Sequence, residues 1–202
     1  MFNIAVIGDD AKQTLFHNIS SACSAYGVVR LSKRGLHRAD FRIIKESRIK
    51  TGEDYDIVVL GDCLCTELSG DTAASSQSNS LIGMSAWREN FCGTKLPKTK
   101  ICILDSGSKN AVKLVHKNGL TALTCSMAVY DTLTADSIAD RENILISLQR
   151  DITRLDGTVL EAQDFRLNLN HDMPIYSMLA SCGVLLLCGI GDTTDGSVLK
   201  FP

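Results

Sequence analysis

The chain has 202 residues, 45% of them hydrophobic, which is the size and apolar content of one domain with a substantial core. Its 21 basic and 23 acidic side chains leave a formal charge of -2 and are scattered along the chain, which excludes an electrostatic case for nucleic acid or an anionic membrane. The expectation is therefore a single α/β domain spanning 1–202, with no nucleic-acid or membrane partner.

Phe2 to Ile7 is an apolar β run that stops at Gly8. It lacks the basic n-region and long h-region of a signal peptide, so a first strand and a cytoplasmic location are expected. From Ala11 to Tyr26, Leu15, Ile19, Cys23 and Tyr26 recur at helical spacing, and Gly27 ends the pattern. Val28, Val29 and Leu31 read as a short second strand, and Arg30 to Arg38 as a solvated basic loop. Asp56 to Leu60 is a continuous apolar run of the kind found in a central parallel strand.

Ser69 to Ser80 has the composition of a loop. Lys100 to Leu104 reads as a further buried strand, Lys109 to Lys117 as a helix closed by Gly119, and Leu120 to Cys125 as the next strand. The grammar to this point is βαβ, so a mainly parallel, P-loop-like sheet flanked by helices is expected over 1–126. Beyond it, Asp136 to Ile138, Asn143 to Gln149 and Phe165 to Leu169 read as short strands joined by turns, with Asp156-Gly157 a strong turn signal. They predict a small antiparallel β subsheet over 127–170. The stretch 171–190 predicts a final core helix, with Pro174 in its first turn, Tyr176, Leu179, Cys182, Leu186 and Ile190 turned inward, and Gly191 at its end. Its apolar part, Ile175 to Ile190, is too short to span a bilayer. A loose polar tail is expected over 191–202.

The eight cysteines mostly sit in apolar runs, where they act as small hydrophobes and stay reduced. Cys63-Leu64-Cys65 lacks the paired CxxC spacing and neighbouring His of a zinc site, so no metal is expected. His17, His37, His116 and His171 have no nucleophile elbow near them, and only Gly8 of a G-x-G-x-x-G dinucleotide motif is present. No catalytic residue is assigned.

The segment Ile4-Ala5-Val6-Ile7-Gly8-Asp9-Asp10-Ala11-Lys12-Gln13-Thr14, followed by a helix, resembles the strand, phosphate loop and helix that open the ATP-binding central domain of a Mur ligase. Ile103 to Ser108 resembles that family's strand ending in an Asn and an acidic pair. Leu123-Thr124-Cys125-Ser126 resembles its Thr-Phe-Gly-like strand, and Ile175 to Ala180 the start of its last helix. The resemblance implies a stand-alone central domain, with ATP and Mg²⁺ as the ligands of its loop. It carries over Gly8, Asp9, Asp10, Ala11, Lys12, Gln13 and Thr14 as phosphate-loop positions and Ser177 as the position of the Asn that contacts adenine.

The matched positions depart from the family pattern in several places. Ala11 replaces a Gly, Gln13 replaces the Mg²⁺-binding hydroxyl, and Gly107 and Ser108 replace the acidic pair. Counterparts of the family's metal-binding Glu and His and of its modified Lys are not found. Asp9 and Asp10 bring negative charge to the phosphate position, a like-charge contact costing on the order of 1 to 4 kcal/mol at about 4 Å. The expected function is thus a non-catalytic Mur-ligase-like protein acting through a protein partner or as a homo-oligomer, with weak or lost nucleotide binding and no assigned cofactor. The alternative is an ATP-dependent amide ligase or its nucleotide-binding subunit. A third reading takes Asp9, Asp10 and Asp62 as the carboxylates of a receiver-like phosphoacceptor, with Ser106 ending a later strand.

Overall fold

The computed structural model describes residues 1–8, 13–31, 40–46, 53–61, 96–138, 144–190 and 198–201. Among them are twelve strands, ten in one sheet and two in a separate hairpin. The first half supplies β1 (Phe2–Ile7), helix α1 (Thr14–Ser24), β2 (Val29–Arg30), β3 (Phe41–Glu46), β4 (Asp54–Leu60), β5 (Lys98–Asp105), helix α2 (Lys109–Lys117) and β6 (Ala122–Ser126). The second half supplies β7 (Leu133–Ile138), β8 (Ile144–Leu148), β9 (Ile152–Thr153), β10 (Val159–Leu160), β11 (Gln163–Leu169), helix α3 (Ile175–Leu187) and β12 (Val198–Phe201).

The sheet order is β12-β11-β8-β7-β6-β5-β4-β1-β3-β2. Pairing is parallel from β2 through to β7, and antiparallel between β7 and β8 and between β8 and β11. The expected mainly parallel sheet with antiparallel strands in the C-terminal half is therefore present. The two parts are joined edge to edge, because Cys125 and Ser126 of β6 pair with Leu133 and Thr134 of β7. Only the β9–β10 hairpin, turning at Asp156-Gly157, stands apart.

Alternation of side chains explains how the sheet is covered. Ile4 and Val6, Ile57 and Val59, Ile103, and Leu123 and Cys125 share the face packed by α1 and α3. Ala5 and Ile7, Val58 and Leu60, and Cys102 and Leu104 point the other way, into the core shared with Ala111, Leu114 and Val115 of α2. A parallel sheet covered on both faces needs strands without polar alternation, which is what β1 and β4 carry. Helix α3 is apolar on every side and buried from Tyr176 to Leu187, as expected of a helix enclosed by sheet and neighbouring helix. Its fit depends on Gly183, where an added Cβ would lie 3.3 Å from both Ile103 Cδ1 and Leu123 Cδ2.

Three expectations are corrected. The tail expected to be loose over 191–202 contains β12, which pairs in parallel with β11 and buries Leu199 and Phe201; two apolar side chains at alternate positions suffice to dock so short a strand. Helix α3 ends at Leu187 and turns through Gly189 at φ 79°, ahead of Gly191, which lies outside the described residues, and Pro174 is its N-cap. Strand β3 had no counterpart in the sequence reading. It inserts between β1 and β2, with Phe41 and Ile43 buried against the α1 face and the Phe41 ring tilted 36° to that of Phe2, their centroids 6.0 Å apart. The expected Ser69–Ser80 loop lies outside the described residues.

The sheet curls as it crosses the molecule. The outward amide of Lys200 on β12 donates to Tyr26 Oη, 2.9 Å away, just past the end of α1 and next to β2 at the opposite edge. One edge is thereby tied back across the α1–α3 pair.

Candidate functional site

In sequence order the chain passes from β1 through β2 and β3 on one side of β1, then crosses to β4 on the other. This reversal at β1 is a topological switch point, where neighbouring connections diverge and leave a crevice beyond the C-terminal ends of the strands. Gly8 lies at that point. Its φ of 76° turns the chain away from the sheet in a conformation that a side chain would resist, and the Gly61 amide donates to Ile7 O at 2.7 Å, so two glycines end the adjacent strands.

Asp9, Asp10, Ala11 and Lys12 lie outside the described residues, so of the expected loop positions Gly8, Gln13 and Thr14 are placed. Gln13 is the N-cap of α1 and adopts the left-handed conformation, φ 61° and ψ 34°, with no side-chain bond to the helix start. Its carbonyl accepts the His17 amide at 2.9 Å, and Thr14 opens the helix. The N-terminal end of α1, where backbone N–H groups and the helix dipole favour an anion, thus follows directly on the crevice. Its first turn contains no acidic residue.

The start of α3 reaches the same edge. Buried Tyr176 donates its hydroxyl to the carbonyl of Leu60 and lies 3.4 Å from that of Ile103, at the ends of β4 and β5. Ser177, the expected adenine-contact position, is buried beside it, and its carbonyl accepts the Ser181 hydroxyl at 2.7 Å. The topology therefore brings the Gly8 turn and the first turn of α3 to one end of the sheet although they are far apart in sequence.

A third group at this edge was missed in the sequence. Asp131, 1% exposed, accepts the Ser106 hydroxyl at 2.8 Å and the Ser126 hydroxyl, both on Oδ2. It ties the turn after β5 to the loop after β6, which presents Met127, Val129 and Tyr130 to solvent. Ser106 and Ser126 each end a strand in the sequence, but nothing local marks Asp131 as their shared acceptor. Of the two positions that the resemblance matches to the acidic pair, Ser108 is spent on structure: it is buried, caps α2 and accepts the Ala111 amide at 3.2 Å. The Gly107 amide is turned onto Asp105 Oδ1 at 2.8 Å.

No group of three or more His, Cys, Asp or Glu among the described residues could hold a metal ion. Asp9, Asp10 and Asp62 of the receiver-like reading lie outside the described residues, while Ser106 is engaged with Asp131. His17, His116 and His171 are exposed on α1, on α2 and after β11. Cys23, Cys102, Cys125, Cys182 and Cys188 are free thiols. Burial raises Cys23 to about 12 and pushes the other four up as well, Cys125 with added repulsion from Cys182, Asp131 and Asp105, so none is a poised nucleophile. No helix among the described residues is long and apolar enough to cross a membrane.

No family model matches the chain, and comparison with curated proteins finds no relative. Solved structures do match. Two crystal structures of MurF from Acinetobacter baumannii align over 94% of this chain and 43% of theirs, each with a TM-score of 0.53, at 11% and 12% identity. The UDP-N-acetylmuramoylalanyl-D-glutamyl-2,6-diaminopimelate--D-alanyl-D-alanyl ligase from the same organism aligns over the same shares with a TM-score of 0.52 and 11% identity. The chain spans less than half the length of these enzymes, and at such identities the likeness is one of fold: the protein has a Mur-ligase-like α/β fold.

Proposed function

We propose that this protein is a non-catalytic Mur-ligase-like domain that acts in the cytoplasm by binding a protein partner or a second copy of itself, with a nucleotide site that is weak or lost. The observation that carries the reading is Gln13. A phosphate loop needs the residue after its Lys to enter the helix and offer a hydroxyl to Mg²⁺. Gln13 has no hydroxyl and stands before the helix in a left-handed turn. Ser108 supports the same reading, since its hydroxyl is committed to capping α2 at one of the places where the family carries an acid.

The second reading, an ATP-dependent amide ligase or its nucleotide-binding subunit, is favoured by Gly8 and Gly61 at the switch point and by Lys12 in the sequence between Gly8 and α1. It also draws on the ligase named among the structural neighbours. Thermal denaturation with millimolar ATP and Mg²⁺ separates the two. The expected outcome is almost no shift for the wild type and an unchanged curve for Lys12→Ala. A clear wild-type shift abolished by Lys12→Ala overturns the non-catalytic reading and establishes a working phosphate loop.

A further inference from the structure

We infer that β12 is a clasp that opens and closes on its own, without unfolding the sheet, and that Tyr26 is its catch. The inference does not depend on whether a nucleotide binds. Among the described residues, strand β12 lies at the edge of the sheet and pairs only with β11, over the four residue pairs from Arg166–Val198 to Leu169–Phe201. Its removal leaves β11 still held to β8 by the five pairs from Gln163–Leu148 to Leu167–Ile144. Two side chains, Leu199 and Phe201, fasten it into the core of α1 and α3, while Lys200 is exposed between them.

The other side of β12 would present the bare amides of an edge strand. One of these, from Lys200, is satisfied by Tyr26 Oη at 2.9 Å. Tyr26 is itself 39% exposed, so water competes directly for the bond. Among the described residues, β12 is held by a four-pair ladder on one side and by one solvent-accessible bond on the other, so its release breaks few bonds and local opening can start there. The clasp also has a mechanical role. Tyr26 follows α1 directly, so closing β12 fixes the far end of the helix whose near end begins at Gln13 and the candidate crevice.

Native-state hydrogen exchange on the full chain, as a function of denaturant, tests this. The amides of Leu199 and Lys200, and that of Asn170, which donates to Phe201 O, are expected to exchange through an opening with a much weaker denaturant dependence than that of β4 and β5, because it exposes chiefly Leu199 and Phe201. In Tyr26→Phe, exchange in β12 is expected to rise roughly three- to tenfold, the effect of losing one hydrogen bond, with β4 and β5 unchanged. Phe201→Ala should enlarge the same local opening. The inference is overturned if β12 exchanges together with β4 and β5 in the wild type. It is equally overturned if Tyr26→Phe leaves β12 unaffected or accelerates the whole sheet alike.

Discussion

Individual residues show how far local chemistry carries. The described cysteines follow the rule that thiols in apolar runs are packing groups. Cys102, Cys125 and Cys182 are fully enclosed, and burial disfavours their thiolates. Because their ionisation is raised above the ordinary value of 9.0, the stability they contribute is complete below that pH and is lost as pH rises beyond it, where the unfolded chain ionises first. A thiol reagent at pH 8 is therefore expected to leave these three unmodified in the native protein and to label them on unfolding, as mass spectrometry would resolve. Asp156 behaves in the opposite sense. Thr158 donates its hydroxyl at 2.7 Å and its amide at 2.9 Å to Asp156 Oδ1, which lowers this carboxyl below its ordinary 3.8, with Arg154 adding to the effect. The contribution is present above pH 3.8 and is lost as pH falls further through the lowered value. The Thr158 amide resonance should thus titrate below that pH, and Asp156→Asn should remove the dependence.

Elements were recognised in proportion to how completely their pattern was local. Helix α2 carries its own start and stop, with Ser108 as N-cap and Gly119 beyond its end, and the predicted bounds Lys109 and Lys117 coincide with the observed ones. Strand β3 fails the same test because its apolar residues are flanked by Arg42, Lys45 and Glu46, and it becomes a strand through six parallel pairs with β1. Helix α3 was visible as an apolar stretch, but its dependence on close approach was not. The 3.3 Å contacts awaiting a Cβ at Gly183 mean that a large side chain there must displace Ile103 and Leu123 of the central strands. Gly183→Leu is expected to cost about 1–3 kcal/mol through overpacking, read as a lower urea midpoint at unchanged slope.

At the scale of the whole molecule, the two proposed readings differ in whether the crevice at the β1 switch point binds a phosphate. A ligand at 100 times its dissociation constant stabilises a fold by about 2.7 kcal/mol, enough to raise the melting point of a domain of this size by several degrees. The combined change Asp9→Thr, Asp10→Asn, Ala11→Gly and Gln13→Thr restores glycine, hydroxyl and charge together. It is expected to produce an ATP- and Mg²⁺-dependent shift larger than that of the wild type. Absence of the shift in a well-folded variant would mean that this fold does not place its loop as a phosphate cradle.

The amino-acid sequence by itself determined the α/β class, the parallel and antiparallel halves and the burial of most strands, because each rests on periodicity or turn chemistry within a few residues. It also carries Ala11 and Gln13, the residue types on which the proposed reading turns. Only the tertiary structure decided that the antiparallel strands extend the same sheet, that β12 closes back on Tyr26, and that Asp131 gathers Ser106 and Ser126. Lys200 and Tyr26 lie 174 positions apart, and Tyr176 meets Leu60 across 116. Such pairs leave no local pattern, since their partners are chosen by the twist and curl of the assembled sheet.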